Sequence, residues 1–234
     1  MNQHIPKIIH YVWMGGKKKP HKIKQCIKTW KKHLVGYEFI EWNEENFDIN
    51  INPYVKKAYE EKKWAFVSDY VRMWAIQKYG GIYLDTDVYV LKDLSPLLTN
   101  KAFVGFENKN FPFTAVFGCI KNHSLPTKVL NYYDKPKTWK YEFEDNNTIS
   151  VSKILIDEYA CKKGNKEQVL KDDIHVYPDG FLCNPSNDSY TIHLFFGSWT
   201  GKNSWEKKKK ELLRRMLKNR LAIKLFLLYS KNKN

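Results

Sequence analysis

The feature that most constrains this chain is Gly80-Gly81, set between a helix-patterned segment and a short β-rich run that carries two aspartates. From Lys62 to Tyr79, the residues Trp64, Val67, Val71, Trp74 and Ala75 recur at helical spacing on one stripe. Gly80-Gly81 supplies the left-handed stop such a helix requires, and Ile82 to Val90 then reads as a strand. The helix face and the strand end therefore meet at the glycines. Asp69 and Arg72, three residues apart, share a neighbouring helix face. If Asp85-Thr86-Asp87 is still extended, the period of two points both carboxylates to the same side.

Two carboxylates facing one way form a cradle for a divalent cation. A diphosphate adds negative charge of its own, so carboxylates facing it repel it unless a cation lies between. Mg²⁺ or Mn²⁺, hard ions held by a few carboxylate and phosphate oxygens, meet that need. Arg72, a planar donor, suits either the phosphates or Asp69. Structural alternatives stand beside these readings: a solvated turn for Asp-Thr-Asp, and a helix-surface ion pair for Asp69 and Arg72.

Elsewhere the chain alternates strand and helix. Lys7 to Trp13 and Tyr37 to Trp42 are short β-rich runs, while Lys22 to His33 and Pro53 to Tyr79 are helix-like, as a parallel sheet with crossover helices requires. Ligands on such sheets bind at a topological switch point. The first run ends in Trp13 and then Gly15-Gly16, where backbone can approach a ligand closely. By position alone the preferred reading of Trp13 is a core residue at a strand end.

Four segments in order, Ile8-Ile9-His10-Tyr11-Val12-Trp13-Met14-Gly15-Gly16, Glu41-Trp42-Asn43, Ser68-Asp69-Tyr70-Val71-Arg72 and Gly80-Gly81-Ile82-Tyr83-Leu84-Asp85-Thr86-Asp87, resemble the DXD-containing sugar transferases of glycosyltransferase family 32. That family is related to yeast mannosyltransferases and to the catalytic domains of clostridial glucosylating toxins. The resemblance covers residues 5–120 well and 190–200 weakly, and residues 121–190 carry no signature of it. It implies a GT-A type, Rossmann-like α/β fold that binds a nucleotide-sugar. Carried across, Asp69, Arg72, Asp85 and Asp87 form the catalytic set. Trp13, Asn43, Ser68, Asp69, Arg72, Tyr83, Asp85, Ser198 and Trp199 line the donor site, with Trp13 stacking on the base. Asp87 and His193 are the expected metal residues. The run His193-Leu194-Phe195-Phe196-Gly197-Ser198-Trp199 is similar to a segment that returns to the metal in retaining members, although toxin relatives place acidic and serine groups where His193 stands. A hydrogen-bonded core histidine is the alternative there.

Composition fits one catalytic domain, residues 1–200, followed by a tail, 201–234. With 43 % hydrophobic residues and no linker or repeat, 234 residues can bury one large core. Cys26, Cys119, Cys161 and Cys183 have no metal-ligand spacing and read as reduced thiols. The polar start and the lack of a long apolar stretch suggest a chain that does not cross a membrane. The net charge of +15 is uneven: residues 201–234 hold twelve Lys or Arg against two Glu. Their Leu213, Leu217, Leu221, Leu225 and Leu228 recur at three to four, a basic amphipathic helix suited to an anionic bilayer or to docking on the domain.

The expectation is a metal-dependent retaining hexosyltransferase using a nucleotide-sugar, UDP-linked by preference, with a glycan or lipid-linked acceptor in bacterial surface polysaccharide or lipooligosaccharide synthesis. It would be cytoplasmic, peripheral to the inner face of the cell membrane through its tail. A nucleotide-sugar hydrolase and a toxin-like protein glycosyltransferase are the alternatives. A nucleic-acid partner is disfavoured, because aromatic residues are not interleaved with the basic run.

Overall fold

The computed structural model describes residues 4–135, 139–141 and 145–196. Ser198, Trp199 and the tail lie outside these residues. A seven-stranded sheet forms the centre, built from β1 (Ile8–Val12), β2 (Glu38–Trp42), β3 (Gly81–Leu84), β5 (Ala102–Gly105), β6 (Val116–Cys119), β7 (Gln168–Leu170) and β8 (Ile174–Tyr177) in the order β2-β1-β3-β6-β5-β8-β7. β1 pairs in parallel with β2 and β3, and β5 with β8, while β6 and β7 run against their neighbours. The ends of β1, β2, β3 and β8 therefore share one sheet edge. A separate antiparallel pair, β4 (Val88–Val90) and β9 (Thr191–His193), stands next to it in sequence.

Helices α2 (Pro53–Glu60), α3 (Trp64–Tyr79), α4 (Ser124–Tyr133) and α5 (Asn147–Tyr159) share one apolar cluster with the sheet. Helix α1 (His21–His33) packs on β4, where Trp30 Nε1 donates to Val88 O at 2.8 Å and Thr29 Oγ1 accepts from Val90 N at 3.0 Å. The last helix among the described residues is the single turn α6 (Asp179–Leu182). The α/β expectation holds.

Two boundaries differ from the sequence reading. The helix expected over 53–79 is two helices, because α2 closes in a Schellman turn: Lys62 takes φ 57°, its N–H bonds to Tyr59 O, and Lys63 N–H bonds to Ala58 O. Four consecutive charged residues, Glu60 to Lys63, leave no apolar side chain there to carry the helix on. The strand expected over 82–90 is likewise two strands, since β3 ends at Leu84 and Val88 N–H closes a turn on Asp85 O at 2.9 Å.

The glycine stop is as expected. Gly80 (φ 68°) and Gly81 (φ 112°) both adopt positive φ. A Cβ at Gly81 would lie 2.7 Å from Ile8 O, and one at Gly80 2.7 Å from Lys121 N. His10 locks this corner: Trp42 Nε1 donates to its Nδ1 at 3.1 Å, which leaves Nε2–H to donate to Gly80 O at 2.8 Å. Burial outweighs the Gly80 contact and lowers the His10 pKa to about 4, so the ring is neutral.

Candidate active site

The Asp85-Thr86-Asp87 turn joins the main sheet to the small β4–β9 ribbon, and each carboxylate is held by a different side of that junction. Asp85 belongs to the helix side. Its N–H bonds to Ala115 O, and its Oδ1 accepts from Tyr83 OH at 3.0 Å and lies 3.1 Å from Arg72 Nη2. The same Nη2 lies 3.1 Å from Asp69 Oδ1 and 2.8 Å from Ser68 Oγ, while Nε donates to Ser68 O. The guanidinium sits 4.4 Å over the Tyr83 ring. Asp69 and Arg72 are each only 4 % exposed, so the pair is no surface ion pair.

Burial dominates the titration of this half. It pushes the Asp69 carboxyl up to about 7 against the opposing pull of Arg72, with Asp85 adding to the rise. For Arg72, burial opposes the charge, but Asp85, Tyr83 and Asp69 together raise its pKa above the ordinary arginine value. Asn147, the first residue of α5, donates its backbone N–H to Asp69 Oδ2 at 3.3 Å. The sequence reading missed this contact. Its signal was Asp145-Asn146-Asn147-Thr148 ahead of a periodic apolar run, a helix start in which Asn146 Oδ1 caps Ile149 N–H.

Asp87 belongs to the β4–β9 side. Its Oδ1 lies 3.2 Å from His193 Nε2, its Oδ2 accepts from Phe196 N–H at 2.8 Å, and its carbonyl accepts from Leu194 N–H. The β4–β9 register sets Val88 opposite His193 and so brings the histidine beside the motif. Burial opposes charge on both groups, yet their mutual attraction wins. Asp87 is held below the usual carboxylate range, with help from Phe196 N–H, and His193 well above the usual histidine value.

Ligand atoms of Asp85, Asp87 and His193 all lie within 4.8 Å of one another. Donors around one octahedral ion at about 2.1 Å are separated by roughly 3 to 4 Å, so two carboxylate oxygens and an imidazole nitrogen this close fit a single Mn²⁺ or Mg²⁺. The turn, rather than an extended strand, makes the convergence.

Trp13 and Asn43 follow the ends of β1 and β2 on the same sheet edge. Trp13 is partly buried, donates from Nε1 to Lys17 O and lies under the Lys19 ammonium, so it is not a fully buried core tryptophan. Asn43 accepts from Glu45 N–H and closes its own turn with Asn46. These hydrogen bonds are with Lys17, Glu45 and Asn46, away from the carboxylate cluster. All four cysteines are buried free thiols, and no helix among the described residues is long and apolar enough to cross a membrane.

Residues 20–104 match the family described as the glycosyltransferase sugar-binding region containing a DXD motif. Inositol phosphoceramide mannosyltransferase 3 of Schizosaccharomyces pombe is 31 % identical over 55 % of this chain and 39 % of its own length. A mannosyl phosphorylinositol ceramide synthase of Saccharomyces cerevisiae is 30 % identical over 57 % of this chain and 36 % of its own. The chain thus spans well under half of these fungal relatives. A glycosyltransferase of Acanthamoeba polyphaga mimivirus is 28 % identical over 86 % of this chain and 84 % of its own. Among solved structures, PaToxG glycosyltransferase shares the fold with a TM-score of 0.50 at 21 % identity, covering 67 % of this chain and 70 % of its own. A glycosyltransferase involved in glycosylation of the major capsid of PBCV-1 does so with a TM-score of 0.51 at 14 % identity, covering 90 % and 100 %. These likenesses bear out the GT-A type fold. With the DXD turn at its sheet edge and the match over residues 20–104, this part of the chain is similar to the DXD-containing glycosyltransferases.

Proposed function

We propose that the chain is a metal-dependent, retaining hexosyltransferase that moves a sugar from a nucleotide-sugar to a hydroxyl of a glycan or lipid-linked acceptor. The observation that carries this reading is the convergence of Asp85, Asp87 and His193 beside the Asp69–Arg72 pair at the sheet edge. Asp85, Asp87 and His193 would hold Mn²⁺ or Mg²⁺, which when bound supplies charge neutralisation for a departing diphosphate. The chain's own residues do the rest. Arg72 and Tyr83 orient Asp85, and Phe196 N–H and His193 orient Asp87. Arg72 acts as a positioning residue, because its donors are directed to Ser68, Asp69 and Asp85. Trp13 is the base platform and Asn43 lies near the nucleotide, while Ser198 and Trp199, outside the described residues, are the remaining donor-site candidates.

In the transfer, the bond from the anomeric carbon to the diphosphate oxygen breaks as a bond to the acceptor oxygen forms on the same face. The acceptor proton passes to the departing diphosphate. No protein nucleophile is needed, and preorganised electrostatics carry the rate.

A UDP-sugar is the favoured donor, and the names of the fungal relatives make a mannose donor the one to compare with it. The same names favour a lipid-linked acceptor. The proposed setting is bacterial surface polysaccharide or lipooligosaccharide synthesis at the inner face of the membrane, reached through the basic tail. Nucleoside diphosphate release from a panel of nucleotide-sugars, with Mn²⁺ and with or without glycan acceptors, tests the reading. Acceptor-dependent release supports a transferase; equal release to water makes the chain a nucleotide-sugar hydrolase. Transfer to a protein alone returns the toxin-like alternative.

A further inference from the structure

Residues 15–37 contain eight lysines and no Asp or Glu, a net +8, and residues 201–234 carry +10, which leaves the other residues at net −3. The basicity of the chain is confined to two segments, and one of them is structured. Lys24, Lys28, Lys31 and Lys32 form a single exposed stripe along α1, opposite the buried Ile23, Cys26 and Trp30. Lys17 and Lys18 extend the stripe to the sheet edge that carries the site, and Val35, 78 % exposed, stands at its other end. The remaining two lysines point inward: Lys19 pairs with Glu41 at 2.6 Å, and Lys22 lies over the Phe196 ring at 4.2 Å.

We infer that this outer face of α1 docks on an anionic lipid bilayer. Six exposed ammonium groups without an intervening carboxylate complement a diffuse layer of headgroup phosphates and carboxylates. The stripe contains no arginine, the side chain suited to bidentate reading of phosphates and base edges, and no Trp, Tyr or Phe ring is exposed along it for a base to stack on. It ends instead in an exposed valine. The inner face of α1 is bonded to β4, the strand that follows Asp87, so docking would hold the β4–β9 pair and the carboxylate turn at a fixed height beside the bilayer. The inference goes beyond the transferase reading, and its test requires neither donor nor turnover.

The test is co-sedimentation of the full chain with phosphatidylcholine vesicles, with and without phosphatidylserine, at rising salt. Three proteins are compared: the wild type, the variant Lys24→Gln/Lys28→Gln/Lys31→Gln/Lys32→Gln, and a control of equal charge, Lys162→Gln/Lys163→Gln/Lys166→Gln/Lys171→Gln, which alters exposed lysines near the β7 edge of the sheet. The expected result is phosphatidylserine-dependent, salt-sensitive binding that weakens at least about tenfold in the α1 variant and by less than about twofold in the control. Equal loss in both variants would reduce the effect to net charge and overturn the inference, as would wild-type binding by the α1 variant. Tighter binding to duplex DNA than to vesicles in the same buffer, lost with the α1 lysines, would overturn it in favour of nucleic acid. Circular dichroism confirms folding, and the double variant Lys28→Gln/Lys31→Gln carries the test if the quadruple one is unfolded.

Discussion

Asp85 and Asp87 are two residues apart and chemically alike, yet the fold treats them as parts of different machines. Asp85 is clamped to the main sheet by a buried arginine, a tyrosine hydroxyl and, through Arg72, by Asp69. Asp87 is held beside the β4–β9 pair, through a histidine and a backbone N–H that arrive more than a hundred residues later in the chain. The lesson is that such a turn works as a joint. One carboxylate is fixed before any ligand arrives, while the other rests on a segment whose own placement depends on the pairing of β4 with β9. Substitutions on the two sides should therefore fail differently: on the main-sheet side through stability, on the β4–β9 side through the metal.

The largest expected effect lies on the sheet side. Arg72→Ala leaves Asp69 buried without its ion-pair partner and should lower unfolding free energy by about 3–5 kcal/mol in chemical denaturation. A variant as stable as the wild type that has lost only donor affinity would make Arg72 a phosphate contact and erase the distinction.

The second prediction concerns the corner beneath that side. His10 is neutral in the fold with its pKa near 4, against 6.5 in the unfolded chain. Its folded pKa is depressed, so the unfolded state binds more protons between these values. The stability His10 confers is complete above pH 6.5 and is lost as pH falls towards 4, by about 3 kcal/mol. Melting temperature followed over that window should fall for the wild type and fall less steeply for His10→Gln. Parallel curves would show that His10 does not carry the acid sensitivity.

How much of this was legible beforehand follows from what each contact depends on. The helix, the glycine stop and the Asp69–Arg72 spacing are local, and the residues from 64 to 84 settle them without help. The turn between Asp85 and Asp87 was misread as strand because Ile82 to Val90 is β-rich throughout; only the pairing of β4 with β9, a contact across about a hundred residues, bends it away from the sheet. The burial of Arg72 and the Asn147 contact needed α4 and α5, in a stretch where no motif was visible. His193 was assigned from resemblance alone, and its placement beside Asp87 comes from strand register. The expectations for Ser198, Trp199 and the tail fall outside the described residues.

The smallest predicted effect is at the sheet edge, where Trp13 sits on neither side of the joint. Trp13→Ala should weaken nucleotide binding by about 1–3 kcal/mol in calorimetric titration, as removal of a stacking ring does, with little change in stability. Unchanged affinity in a folded variant would return Trp13 to a packing role.

The central claim is that Asp85, Asp87 and His193 hold one divalent ion. Titration of Mn²⁺ followed by its electron paramagnetic resonance, on the wild type and on folded Asp87→Asn, tests it without reference to any substrate. The account predicts one EDTA-sensitive site in the wild type that is lost in Asp87→Asn, together with a fall in transfer on the order of 10²- to 10³-fold. Unchanged Mn²⁺ binding by Asp87→Asn, or full turnover by that variant in chelator, would contradict it.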